Sequence, residues 1–197
     1  MREPLSRRDA LRAVGAGGLA GLTALAGCTS SAGSDDTATA TPTVTSAPSD
    51  DSAIQETNSI GMSCYTDEDD YFFRPDVVRV EPGTTLQFGV GTSCRQQTLA
   101  YHPDNDAPQR IPDGAESWSS PVMQGSMGGT FEVTLEVEGV YDYFGLHQEF
   151  GQVGSIVVGA PDPDGQPGLA PPQESIPEPA RERLSELNDL VRSALSE

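Results

Sequence analysis

The chain has 197 residues and carries 30 Asp and Glu against 11 basic residues, all of them Arg, for a net charge of −19. Nothing in such a chain neutralises a run of phosphates, which excludes nucleic acid as a partner. A charge this large repels itself and loosens the compact state unless salt screens it, so the composition points to a high-salt environment.

Residues 1–27 divide as a secretory signal does. Arg2, Arg7, Arg8 and Arg12 form a positive start, and Ala13 to Ala26 is apolar but diluted by glycine. That stretch is shorter than the roughly 20 residues a membrane-spanning helix takes, so it reads as a signal peptide. Ser6-Arg7-Arg8-Asp9-Ala10-Leu11 matches a twin-arginine signal, and Leu25-Ala26-Gly27-Cys28 matches a lipobox, in which Cys28 is acylated after cleavage. The expectation is an exported protein held to the outer face of the cytoplasmic membrane by lipid on Cys28. Loss of residues 1–27 removes four Arg and two acids, leaving 28 acids against 7 Arg and a charge of −21.

Residues 28–55 are Ser, Thr, Ala and Asp with little to bury, and read as a disordered stalk with a reach of about 30 Å. Residues 56–159 carry the signals of one β-domain. Val77, Val78 and Val80 precede the turn Glu81-Pro82-Gly83, and Leu86, Phe88 and Val90 alternate after it. From Thr130 to Val137, Phe131, Val133, Leu135 and Val137 take one face and Thr and Glu the other. Val140 to Phe144 and Ile156 to Val158 supply two further strands. Short strands with Gly and Pro turns, and no helix between them, predict an all-β, Greek-key β-sandwich. Residues 160–179 are Pro- and Gly-rich and read as a linker. Leu184, Leu187, Val191 and Leu195 then recur at helical spacing, which predicts an amphipathic helix over 180–196.

The order of motifs within residues 65–159 resembles the cupredoxins, and most closely the halocyanin-like and plastocyanin-like blue copper proteins. The segments that carry the resemblance are Val80-Glu81-Pro82-Gly83-Thr84-Thr85, Tyr101-His102-Pro103-Asp104, Ile111-Pro112-Asp113-Gly114 and Gly139-Val140-Tyr141-Asp142-Tyr143-Phe144, followed by a loop and Val153-Gly154-Ser155-Ile156-Val157-Val158. The resemblance implies a copper-binding electron carrier, not an enzyme, working beside a redox or structural protein partner. A blue copper centre takes two imidazoles, a thiolate and a weak axial thioether. By the resemblance, the first His falls at Gln96, the Cys at Gly145, the second His at His147 or Gln148, and the Met at Gln152. At most one of the four ligands is present, so the copper site is expected to be degenerate or altered.

Two readings follow. In the first, His147 and Cys94 bind copper in some other geometry, with Met62 or Met127 as soft helpers. In the second the domain is a metal-free module that binds a protein or membrane complex, and the glutamines hydrogen-bond across the vacated site. The cysteines bear on this choice. With Cys28 lipidated, Cys64 and Cys94 remain as a pair in an oxidising compartment, suited to a disulfide; the rival is a free Cys94. His102 lies six residues beyond Gln96, about 20 Å along a strand, and is expected to be structural. Asp67-Glu68-Asp69-Asp70 reads as a solvated acidic face and not a calcium loop. Ser119 and Ser120 have no arranged His and acid, so nucleophilic catalysis has no support. Met123 to Gly129 reads as a mobile loop, while Tyr141 and Tyr143 are expected to pack the core.

Overall fold

A computed structural model describes residues 54–65, 70–91, 93–125 and 128–196. The signal, Cys28, most of the stalk, Asp67 to Asp69 and Met127 lie outside the described residues. Everything described belongs to one compact unit, Ser46–Glu197.

The strands are β1 Ser59–Tyr65, β2 Asp70–Arg74, β3 Val77–Val80, β4 Thr84–Val90, β5 Arg95–Gln96, β6 Thr98–Ala100, β7 Met123–Gln124, β8 Thr130–Leu135, β9 Gly139–Gly145 and β10 Val153–Val158, and the helix is α1 Glu178–Leu195. One sheet has the order β2-β1-β4-β8 and the other β3-β10-β9-β6, with β5 and β7 as a separate ribbon. Pairing is mixed: β1 runs parallel to β4 and β10 to β3, and the remaining pairs are antiparallel. The long β8 pattern read from the sequence stops at Leu135 because Val137 turns the chain, and Tyr141 Oη donates to the Val137 carbonyl at 2.6 Å.

Side-chain alternation along β9 and β10 explains why both strands are buried from end to end. Tyr141, Tyr143, Ile156 and Val158 enter the core between the sheets, with Phe73, Leu86, Phe88 and Trp118. Val140, Phe144, Val153 and Val157 point the other way, into a second apolar layer. That layer is closed by Leu169, Ile176, Ala180, Leu184, Leu187 and Val191 from the C-terminal segment. Each of the large aliphatic side chains contributes roughly 1.5–3 kcal/mol by leaving water.

The segment 160–179 is therefore more than a linker. It carries a 3₁₀ turn at Pro167–Leu169, buries Leu169 and Ile176, and is tied down by Arg110. Arg110 is fully buried. Its Nε donates to Asp142 Oδ2 at 2.8 Å, one terminal nitrogen donates to the Ala170 carbonyl at 2.9 Å, and the other donates to the Gly168 carbonyl. Asp142 Oδ1 accepts from Ser155 Oγ at 2.6 Å. Burial pushes the Asp142 carboxyl up to about 6, against the opposing pull of the Arg110 charge and the two hydrogen bonds.

Cys64 on β1 and Cys94 just before β5 form a disulfide with Cα atoms 6.5 Å apart. It closes a loop with a sequence separation of 30. Replacing both cysteines by alanine is expected to cost roughly 3 kcal/mol, by freeing that loop in the unfolded chain. Denaturant unfolding of the variant at constant salt checks this, and an unchanged midpoint would contradict it.

Candidate metal centre

The positions at which the resemblance places metal ligands converge at one end of the sandwich. Gln96 sits on β5, Gly145 ends β9, His147 and Gln148 lie in the following turn, and Gln152 leads into β10. The structure brings Gln96, Gly145, His147 and Gln152 together. Both glutamines are fully buried. Gln152 Nε2 donates to Gln96 Oε1 at 2.6 Å, and Gln96 Nε2 donates to the Ser63 carbonyl at 3.3 Å. Gln152 Oε1 in turn accepts from the His147 backbone N–H at 3.2 Å. Buried amides without partners cost about 1–3 kcal/mol each, so this chain of bonds is what lets two polar side chains stay inside.

Gly145 completes the arrangement by its lack of a side chain. A Cβ at this position would lie 2.0 Å from Gln152 Oε1 and 2.3 Å from its Cδ. Its φ is not in the left-handed region, so the glycine is there for space and not for backbone freedom. The Gln152 side chain fills the volume into which a cysteine would project.

His147 is turned away from the glutamines. Its ring stacks on Tyr71 with centroids 3.8 Å apart and planes at 20°. Its Nε2 lies 3.3 Å from the Arg95 carbonyl, which only accepts, so Nε2 carries a proton directed at it. Nδ1 faces Glu149, at 3.9 Å. Gln148 Oε1 accepts from Tyr101 Oη at 3.4 Å and takes no part in the glutamine network.

Cys94, the other candidate ligand, is taken by the disulfide and has no thiolate to offer. Met62 is fully buried in the core between the sheets. Among the described residues, no three His, Cys, Asp or Glu side chains are grouped to hold a metal. The donors present at this end are amides already bonded to one another, and they do not fit a blue copper centre. His102 accepts a hydrogen bond from the Asp104 N–H through Nδ1 and caps a short 3₁₀ turn. Met123, placed in a loop by the sequence reading, pairs with Gln96 in the β5–β7 ribbon. The Tyr71 stack and the Ser63 acceptor had no signal in the sequence, because both depend on strand register.

No protein-family model matches the sequence, and no curated protein matches it either. Among solved structures the chain is similar to a Sinorhizobium pseudoazurin, at 24% identity over 68% of this chain and 95% of that one, with a TM-score of 0.53. Pseudoazurin from Methylobacterium extorquens gives 21%, 68%, 97% and 0.52, and native pseudoazurin from Hyphomicrobium denitrificans 21%, 67%, 95% and 0.51. At these identities the likeness establishes the fold, a cupredoxin-like β-sandwich with a C-terminal helix.

Proposed function

We propose that this is an exported, membrane-tethered cupredoxin-fold module of halocyanin-like descent that has lost copper and works by binding a protein partner. The observation that carries the reading is the hydrogen-bonded Gln96–Gln152 pair with Gly145 packed against it. An electron carrier of this fold needs a thiolate and two imidazoles aimed at one point. Here the thiolate position is a glycine, one imidazole position is a glutamine, and the His147 ring is engaged by the Tyr71 stack and the Arg95 carbonyl. The twin-arginine and lipobox motifs support export and anchoring through Cys28. The described residues include no helix long and apolar enough to cross a membrane.

Titration of the purified protein with copper(II) tests the proposal. The expected result is no intense visible charge-transfer band, and only weak binding that survives His147→Ala. A stoichiometric blue or purple species abolished by His147→Ala would overturn it and restore the copper-carrier reading.

A further inference from the structure

The second sheet has its outer face covered by α1, but among the described residues the first sheet ends on an open edge. β2 is that edge strand, paired on one side with β1. Along its full length runs a groove of about 420 Å³, with β2 on one wall and the first half of α1 on the other. Phe150 and Gly151, from the turn after His147, close one end.

Three features of the groove define what it takes. The first is the strand edge, because an edge strand presents unpaired backbone donors and acceptors to any extended chain laid beside it. The second is aromatic. Tyr65 and Phe150 are 55% and 46% exposed, large apolar surfaces to leave in water, and Phe72 packs between Tyr65 and Arg74. The third is charge. The lining carries the carboxylates of Asp70, Asp76, Glu182 and Glu186 against the guanidiniums of Arg74 and Arg183, an excess of two negative charges.

The sign of that charge selects the occupant. A second copy of this chain would bring the same acidic groove and a net charge of −19. The chain's own residues 29–53 contain Asp and no basic residue. Both are repelled. We infer that the β2–α1 groove binds an extended basic segment of a partner protein, added as a fifth strand to the β2-β1-β4-β8 sheet. Arg or Lys at alternate positions would meet Asp70 and stack on Tyr65 and Phe72 on one face, while the intervening apolar side chains cover Tyr71 and Phe150 on the other. This deepens the reading of the domain as a partner-binding module and rests on it.

Calorimetry on the whole protein at its working salt, with a short alternating Arg-Val peptide as probe, tests the inference. Three controls accompany it: a Glu-Val peptide, an Arg-Val peptide N-methylated at alternate residues, and the variant Asp70→Arg/Glu182→Arg. The expected result is saturable binding of the Arg-Val peptide, loss of binding for both control peptides, and weakening of about tenfold or more in the variant. Equal binding of the N-methylated peptide would reduce the effect to charge attraction and overturn the inference, as would no binding at all. The wild-type comparison of peptides decides even if the variant does not fold. Binding seen only after deletion of residues 29–53, or a dimer that excludes the peptide, would assign the groove to the chain itself and also overturn it. A blue copper species in the titration above would sink the loss of copper without touching the groove. Absent peptide binding would leave the copper result as it stands.

Discussion

Arg110→Met is expected to remove about 3–5 kcal/mol of stability at neutral pH, because it leaves the fully buried Asp142 carboxylate without its charged partner and the buried Gly168 carbonyl without its donor. Methionine fills much of the arginine's volume, so the loss reports the charge and hydrogen bonds more than a cavity. The deficit is also expected to depend on pH. The Asp142 carboxyl already sits at about 6 in the folded protein, above its ordinary 3.8, because burial outweighs its partners. Arg110 lowers it, so removing Arg110 raises it further. A group whose folded value is raised adds stability that is complete below its unfolded value and is lost as pH rises through the folded one. The variant should therefore lie closest to wild type near pH 4 and fall away as pH climbs through 6 and beyond. Denaturant midpoints of both proteins across that window, at fixed salt, check the sign. A deficit that grows on acidification would refute the account. Adding Asp142→Asn to Arg110→Met should flatten the slope, since the group that titrates is gone.

The second large effect is expected at Gly145. A cysteine placed there alone should cost roughly 3–5 kcal/mol and bind no copper. The new Cβ overlaps Gln152 Oε1, and overpacking of this kind costs about 1–3 kcal/mol. Moving Gln152 aside also breaks its bonds to Gln96 and the His147 N–H, at about 1–3 kcal/mol for each buried group left unpaired. Gly145→Cys combined with Gln152→Ala removes the collision, so the two changes should be strongly non-additive, the double variant being more stable than the sum of the singles predicts. Additive losses would show that Gln152 does not fill the space as described. The same cycle tests whether Gly145 and Gln152 act independently or as one packed unit.

Much of the sandwich was legible because β-structure writes itself into local pattern. Leu86 and Phe88 on β4, and Phe131, Val133 and Leu135 on β8, alternate as a half-buried strand must, and their ends fall at Pro82-Gly83 and near Val137. β9 was harder in detail. Tyr141 and Tyr143 showed the core face, but nothing local told that Asp142 is buried, because its partner Arg110 is 32 residues away in sequence. The strap at 160–179 was misjudged for a related reason. Its Pro and Gly content is that of a linker, and what holds it is Arg110 bonding to its carbonyls, which carry no sequence signature. At the candidate site the identities of Gln96, Gly145 and Gln152 were enough to remove three of the four ligands that the resemblance implies. That the two glutamines lock together follows from the sharing of one end by β5 and the β9–β10 turn, a long-range fact. The orientation of His147 depends on Tyr71 and Arg95 and could not be read from spacing.

The covering of β9 and β10 by α1 has a consequence for the order of events in the cell. α1 follows every strand along the chain, so it leaves the ribosome after them. Until then Val140, Phe144, Val153 and Val157 form a bare apolar face on an otherwise complete sheet, the kind of surface that associates with whatever is near. Threading the chain unfolded through a membrane would expose that face a second time, on the far side. Closing it once, inside the cell, and moving the finished domain avoids the second exposure. Under the proposed export by a twin-arginine signal, the helix thus links the C-terminal end of the fold to the route at the other end of the chain.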